Sequence, residues 1–242
     1  MATKNQAKPS EGIGRERQVR QIFSEIAPRY DLLNHLLSFN IDRRWRRRAV
    51  DRLGWEHAPR DRYLDACAGT FDLSLELSTR GGFGGRVMAT DFAHAMLLQG
   101  QGKIDSAAID PVCADTLRLP FPDETFHGAM VAFGVRNLSD IGAGLGEFAR
   151  ILKPGGRLVV LEFTEPQHPV MRRLYLLYFR RFLPLVGRLV SGHPWAYAYL
   201  PESVKEFPGP ADLAAVMGEA GFADTSWELL TGGVAALHVG IR

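Results

Sequence analysis

Residues 63–72 read Tyr-Leu-Asp-Ala-Cys-Ala-Gly-Thr-Phe-Asp, an apolar run followed by a loop of small residues and the start of a helical pattern. A strand, a tight loop and a helix in this order form the repeating unit of sheets with parallel strands. Short apolar runs and helical patterns continue to alternate along the chain after this stretch. The sequence therefore predicts an α/β fold, a doubly wound and mostly parallel sheet with helices on both faces.

This alternation gives the approximate bounds of each predicted strand and helix. We predict strands at residues 63–67, 86–90, 112–114, 129–133 and 157–162, and helices at 72–79, 94–102 and 141–152. Residues 152–157 carry proline and glycine, which favour a fixed reversal between a helix and the next strand. A helix near 211–220 then precedes two β-like runs, 226–230 and 235–241. Gly232 and Gly233 between these runs predict a closing hairpin.

The first sixty residues show helical patterns without strand-like apolar runs between them. Val19, Ile22, Phe23 and Ile26 recur at helical spacing, and two further helical patterns lie around 32–37 and 41–53. We therefore predict a helical N-terminal appendage over residues 1–60 and a sheet domain over 61–242, with a substrate-binding insertion at about 165–205.

Composition excludes several classes of protein. The net charge is +2, and only two cysteines are present, so we expect neither a polyanion-binding protein nor a disulfide scaffold. Neither a secretory leader nor an uncharged apolar run of 18 residues is found, so we expect a cytoplasmic protein, soluble or at most peripheral on a membrane. The arginines at 43–48 belong to no recognised nucleic-acid-binding module and the total charge is near neutral, which argues against nucleic acid. The scattered histidines predict no metal site.

Acidic residues lie within or directly after three of the predicted strands and indicate a nucleoside cofactor. Asp91 lies roughly twenty residues after Gly69, where a carboxylate accepts the ribose hydroxyls of an adenosine. A dinucleotide site needs several spaced glycines, and Asp65 would repel a diphosphate, so the pattern favours the cationic S-adenosylmethionine. Asp115, with Thr116 beside it, could accept from the adenine amino group. The competing interpretation is that these carboxylates only cap helices or face water.

Several segments resemble the ubiquinone/menaquinone biosynthesis C-methyltransferases over nearly the whole chain. They are residues 23–31 (Phe-Ser-Glu-Ile-Ala-Pro-Arg-Tyr-Asp), 133–137 (Phe-Gly-Val-Arg-Asn), 152–157, 161–163, 197–200 and 231–238. The resemblance implies a class I methyltransferase fold with seven strands and S-adenosyl-L-methionine contacted by Thr70, Asp91, Asp115 and Thr116. It also implies a lid that includes Tyr30, a prenylated quinol as substrate and a role for Arg136 in substrate activation.

Three positions depart from the family pattern. Phe71 replaces a usual glycine and would narrow the cofactor loop, Ala132 replaces a serine, and His127 replaces an aspartate. These departures keep two alternatives open: a methyltransferase acting on another lipophilic small molecule, and a non-catalytic scaffold that binds the cofactor.

For the reaction itself, we expect Arg136 to stabilise a phenolate that develops on the quinol and Asn137 to orient the ring. The alternative is that Arg136 only forms an ion pair with a neighbour. His127, His168 and His193 are the candidates for a general base by chemistry alone.

Residues 170–190 combine five arginines with apolar and aromatic residues and contain no acidic residue. An amphipathic basic segment of this kind is typical of a peripheral membrane contact, through which a prenyl tail could enter the site. A solvated arginine face on a dimer-forming helix is the alternative, and the resemblance makes a homodimer plausible.

Overall fold

The computed structural model describes residues 19–21, 23–25, 27, 38–104, 108–178, 181 and 194–242, with no side chains described for 194–198. Within these residues seven strands form one sheet. They are β1 (Arg62–Ala66), β2 (Arg86–Asp91), β3 (Ile109–Cys113), β4 (Phe126–Ala132), β5 (Leu152–Phe163), β6 (Ala223–Leu230) and β7 (Ala235–Ile241).

The sheet has the strand order β3-β2-β1-β4-β5-β7-β6. The first five strands run parallel, and β7 is antiparallel to both of its neighbours, β5 and β6. Successive connections therefore move outward from β1 to one side and then return to β4 on the other. Loops that follow β1 and β4 diverge at this reversal, which opens a crevice at the carboxyl ends of the strands.

Helices cover both faces of the sheet. They are α1 (Ile41–Leu53), α2 (Asp72–Ser78), α3 (His94–Gly100), α4 (Ile141–Ile151), α5 (Pro169–Leu177), α6 (Pro194–Glu206) and α7 (Pro210–Glu219). Alternate strand residues enter two separate cores. Tyr63 packs with α1, α2 and α3 on one face, and Leu64 packs with α4 and α7 on the other. Because both faces are buried, the central strands read as nearly continuous apolar runs.

The five predicted parallel strands and the C-terminal hairpin are confirmed, but several strands begin earlier than predicted. β3 begins at Ile109 and β4 at Phe126, three residues before the predicted starts. In β3, Asp110 and Pro111 interrupt the apolar pattern, yet both residues pair with β2. The bounds of a strand follow from its backbone hydrogen bonds to a neighbouring strand, and these bonds can extend beyond the apolar run in the sequence.

The predicted reversal at residues 152–157 lies within β5 as an irregularity in the pairing with β4. Leu152 pairs with Phe126, and the next pair joins Arg157 to Gly128. Gly155 has a φ of 77°, which a residue with a side chain adopts only under strain. A Cβ on Gly156 would lie 2.8 Å from the Lys153 carbonyl oxygen. The glycine pair thus absorbs the extra residues between helix and strand.

α1 belongs to the layer that covers the sheet. Its residues Trp45, Ala49, Val50 and Leu53 are buried in the same core as β1 and β5. A C-terminal Gly54 with a φ of 75° ends the helix. The predicted boundary at residue 60 stays a prediction, as does the insertion at 165–205. Among the described residues, none of the helices is both long and apolar enough to cross a bilayer.

Candidate functional site

A cleft of about 700 Å³, partly open to solvent, lies at the carboxyl ends of β1, β2, β3 and β4. The lining residues of these strands lie at or shortly after their carboxyl ends. The lining comprises Arg20, Phe23, Cys67, Gly69, Asp91, Phe92, Met96, Asp115, Thr116, Leu117, Ala132, Phe133, Gly134, Asn137, Leu138 and Ser139. The cleft occupies the point where the strand order reverses, the position at which open α/β sheets bind ligands.

Asp91 is the buried anion of the cleft. One of its carboxylate oxygens accepts from the Gly69 N–H at 2.9 Å, and the other accepts from the Ala93 N–H at 2.8 Å. Burial raises the pKa of Asp91 to about 6, although these two bonds favour the charged form. A carboxylate has about four acceptor positions, so two remain for the hydroxyls of a ribose.

Asp115 and Thr116 line the cleft at the end of β3, as the sequence predicts. The Asp115 carboxylate accepts from the Leu117 N–H at 3.0 Å, which orders the loop. The Thr116 hydroxyl lies 3.5 Å from the Cys67 sulfur. Burial raises the pKa of Cys67 to about 12, which favours the protonated thiol at neutral pH.

An apolar wall of the cleft was missed by sequence reasoning. Phe92 and Met96 form it, and Phe23 from the N-terminal segment packs against the same cluster. The guanidinium of Arg20 lies 5.4 Å from the centre of the Phe92 ring. Phe92 directly follows Asp91, and a flat hydrophobic side chain next to the ribose carboxylate is the signal that could have identified it.

Two predicted cofactor residues, Asp65 and Thr70, are buried and lie outside the cleft lining. The Asp65 carboxylate accepts from the Ser74 hydroxyl at 2.6 Å, and burial raises its pKa to about 7. This bond ties the end of β1 to α2. A direct contact of Asp65 or Thr70 with the cofactor stays a prediction, as does that of Tyr30, which lies outside the described residues.

Phe71 does not narrow the cleft, contrary to the expectation from its size. Its ring is fully buried in the core of the α1, α2 and α3 face, and a Cβ on Gly100 would meet it at 2.5 Å. The backbone keeps a φ of 70°, the left-handed conformation that a glycine would adopt without strain. Ala132 does line the cleft, at the end of β4.

Arg136 and Asn137 lie in a short helical turn, Val135–Asn137, directly after β4. Arg136 is buried, and its Nη1 donates to Glu162 Oε1 and to the Phe133 carbonyl oxygen, both at 2.6 Å. No described residue accepts from its Nε. Asn137 lines the cleft, whereas Arg136 lies behind it and packs over the Phe163 ring at 5.5 Å.

Of the histidine candidates for a general base, the two that the structure describes do not line the cleft. His127 lies at the start of β4, where its ring nitrogen is 3.8 Å from the Asp61 carboxylate. Ala132, which lines the cleft, is at the other end of the same strand, about 16 Å away at ~3.3 Å per residue. His168 directly precedes α5, and His193 lies outside the described residues.

The cleft fits S-adenosylmethionine better than a dinucleotide. It offers a buried carboxylate with acceptor positions left for a ribose, a second carboxylate at Asp115 and an apolar wall for a purine ring. Arg20 is its one lining residue with a permanent positive charge, so among the described residues no basic cluster awaits a diphosphate. A cationic cofactor is favoured by this balance of charge.

Comparison with known proteins agrees with this assignment. The family model described as the ubiE/COQ5 methyltransferase family matches residues 12–242. The chain is 52% identical to a demethylmenaquinone methyltransferase of Thermus thermophilus over 91% of this chain and 100% of the relative. It is 42% identical to the ubiquinone/menaquinone biosynthesis C-methyltransferase UbiE of Geobacter sulfurreducens, over 92% of this chain and 88% of that protein.

Solved structures share the fold at low sequence identity. The [4+2]-cyclase SpnF superposes with a TM-score of 0.70 at 16% identity, covering 94% of this chain and 96% of that one. An S-adenosylmethionine-dependent methyltransferase of Thermotoga maritima, a possible histamine N-methyltransferase, superposes with a TM-score of 0.62 at 16% identity, covering 92% and 99%. These likenesses show the fold alone, which is that of the class I methyltransferases.

Proposed function

Because this chain belongs to the ubiE/COQ5 methyltransferase family, we propose that it methylates a ring carbon of a prenylated quinol, with a demethylmenaquinol as the acceptor. The chain is an S-adenosylmethionine-dependent C-methyltransferase. The observation that carries the proposal is the cleft, in which Asp91 and Asn137 line a single space at the reversal point of the sheet.

The choice of a naphthoquinol over a benzoquinol rests on the relatives. The Thermus protein at 52% identity and a Deinococcus radiodurans protein at 44% identity are both named demethylmenaquinone methyltransferase. The Geobacter relative, whose name covers both quinones, is 42% identical. Benzoquinol methylation is therefore the second candidate.

The cofactor half of the cleft lies between β2 and β3. Asp91 would accept the ribose hydroxyls, Asp115 would accept from the adenine amino group, and Phe92 with Met96 would cover the purine. When bound, S-adenosylmethionine supplies a methyl group already activated on a sulfonium. The residues of the chain therefore need only to position an acceptor and favour its nucleophilic form.

The acceptor half of the cleft lies beside the turn Val135–Asn137. A quinol ring carbon becomes nucleophilic as the neighbouring hydroxyl loses its proton, and donors in a dry site stabilise the oxygen anion that results. Asn137 faces the cleft, whereas Arg136 is buried behind it with no described acceptor for its Nε, so the proposal requires an acceptor oxygen to pass the lining and reach this Nε. Glu162 holds Arg136 in place through Nη1.

The proposed function is tested by methyl transfer from labelled S-adenosylmethionine to chemically reduced acceptors in detergent. We expect label in demethylmenaquinol and little in a demethylated ubiquinol precursor. Label in the benzoquinol alone would replace the acceptor. If neither quinol is labelled while S-adenosylmethionine still binds, the proposal fails in favour of another lipophilic acceptor or a non-catalytic scaffold.

We also propose that α5 contacts a membrane surface. Val170, Leu174 and Leu177 are more than half exposed and recur at helical spacing, so they form one apolar stripe. Tyr175 on the other side of the helix is buried. Arg173 is exposed and α5 contains no acidic residue, although Arg172 pairs with Glu165 just before the helix at 2.8 Å. An anionic bilayer would complement the stripe through Arg173. A lipid-dissolved prenyl tail would reach the protein at this surface.

Vesicle binding tests the membrane contact. Leu174→Glu should abolish co-sedimentation with phosphatidylglycerol vesicles, whereas Leu229→Glu, at an equally exposed leucine on β6, should leave it intact. Binding that survives Leu174→Glu contradicts the proposal. If Leu174→Glu instead converts a dimer into a monomer, a second copy of the chain covers the stripe.

A further inference from the structure

A hydrogen bond joins α6 to the cleft across 62 residues of sequence. The Tyr199 hydroxyl lies 2.9 Å from Asn137 Oδ1. α6 contacts the turn Val135–Asn137 at this place, and Asn137 lines the cleft. The side chain of Tyr199 therefore touches a group of the site without lining the cleft itself.

The surroundings of Asn137 determine which way its amide points. Nδ2 lies 3.4 Å from the Phe133 carbonyl oxygen, which also accepts from Arg136 Nη1. If the amide were turned over, its oxygen would face the carbonyl oxygen and two acceptors would oppose each other. Oδ1 must then face Tyr199, and the phenol must donate. One N–H of Nδ2 is left for an acceptor bound in the cleft.

We propose that Tyr199 is a positioning residue that orients the Asn137 amide so that Nδ2 donates to the ring oxygen of the acceptor. The inference rests on the proposed function, because it assumes an acceptor whose oxygen gains negative charge as its ring carbon reacts. It adds a consequence for the chain: α6 must be docked on the turn before the donor is in place. The position of α6 would therefore affect the rate of methyl transfer through Tyr199.

Kinetics of Tyr199→Phe test this role, with Ser203→Ala as the matched control. Ser203 lies on the same helix, and its hydroxyl donates only to the Leu200 carbonyl of that helix. We expect Tyr199→Phe to lower kcat by about three- to tenfold, the effect of one hydrogen bond, with an unchanged KM for S-adenosylmethionine. Ser203→Ala should keep the wild-type kcat.

A double-mutant cycle separates positioning from simple docking of α6. If Tyr199 acts through Asn137, Tyr199→Phe has no further effect on kcat in an Asn137→Ala background. An equal fall in both backgrounds, or an unchanged kcat in the single variant, overturns the inference.

A spectroscopic measurement keeps the test independent of the acceptor. In protein labelled with ¹⁵N at asparagine, Tyr199→Phe should shift the side-chain amide signal that Asn137→Ala removes, and Ser203→Ala should not. An unchanged signal overturns the inference even if the wild-type protein methylates neither quinol. A shifted signal together with an inactive wild type would support the orienting contact and place the failure with the proposed acceptor.

Discussion

Asp65 and Asp91 are buried carboxylates at the ends of neighbouring strands, and the fold uses them differently. Asp91 lines the cleft and accepts two backbone N–H groups, whereas Asp65 lies beneath α2 and accepts the Ser74 hydroxyl. Burial raises the pKa of both, to about 6 for Asp91 and about 7 for Asp65. An anion at Asp65 therefore costs stability, while an anion at Asp91 is available to a ligand.

Replacement of Asp65 tests the cost of its burial. Between pH 4 and pH 7 the folded state binds a proton at Asp65 that the unfolded state has released, so this contribution is complete below pH 4 and is lost as the pH rises through 7. Asp65→Asn has no such loss. Its free energy of unfolding in urea should exceed that of the wild type at pH 8 by up to about 4 kcal/mol, and by much less at pH 5. A variant less stable than wild type at pH 8 would mean that the Asp65 anion is favourable.

Arg136 pairs with Glu162, and we propose a second, separable task for it, the donation of Nε to an acceptor. Arg136→Ala should lower kcat by about 10²–10³, but it also strands the buried Glu162. Arg136→Lys keeps a cation for Glu162 and lacks the Nε donor. We expect the lysine variant to melt close to the wild type while kcat stays low. Restored turnover in the lysine variant would show that the ion pair alone accounts for the effect.

At the scale of elements, the contact between α2 and α3 explains how the chain accommodates Phe71. The ring precedes α2 and packs where a Cβ on Gly100 would lie 2.5 Å from it. A glycine within α3 therefore makes room for the phenylalanine that replaces the usual glycine of the loop. The small residue lies in α3 and the large one precedes α2, so the Phe71 ring is accommodated in the core and does not enter the cleft.

Gly100→Ala should destabilise the protein by about 1–3 kcal/mol through overpacking against Phe71, as measured by urea unfolding. Gly102→Ala is the matched control, since a Cβ there meets nothing within 4 Å. In a Phe71→Gly background the Gly100→Ala change should cost less, because the ring is gone and only the Thr70 Cα, 2.9 Å from the added Cβ, stays close. Equal costs in both backgrounds would contradict the coupling.

At the scale of the whole molecule, the cleft joins segments far apart in sequence. Arg20 and Phe23 come from the N-terminal part of the chain, Asp91 follows β2, and Asn137 follows β4. Ala27 is buried in a cluster with Met96. A ligand in the cleft therefore connects the N-terminal segment to the body of the sheet.

Product binding should stabilise the fold and protect this segment together. S-adenosylhomocysteine at one hundred times its Kd should raise the free energy of unfolding by about 2.7 kcal/mol, visible as a higher Tm. It should also slow tryptic cleavage after Arg20, which lies over Phe92. Asp91→Asn should lose both effects at the same concentration. A higher Tm with unchanged cleavage at Arg20 would show that the N-terminal segment does not close on the ligand.

The sequence by itself determined the sheet and the edge of the sheet at which the cleft lies. Both depend on local order: an apolar strand, a loop that contains Gly69, and Asp91 at the end of the next strand. Parallel strands bring their carboxyl ends to one edge, so residues that follow them must meet there. Asp91, Asp115 and Thr116 could be placed in this way because the pattern alone says which strand each one follows.

Only the tertiary structure decided which side chains face the cleft and which face the core. Asp65 lies near the end of β1 and Phe71 follows the loop that contains Gly69. The Asp65 carboxylate nevertheless binds Ser74 of α2, and the Phe71 ring packs on Gly100. Tyr199 reaches Asn137 from a helix 62 residues away. Burial and hydrogen bonds between elements distant in sequence determine which way these side chains point. Such contacts produce no periodic pattern in the sequence from which they could be predicted.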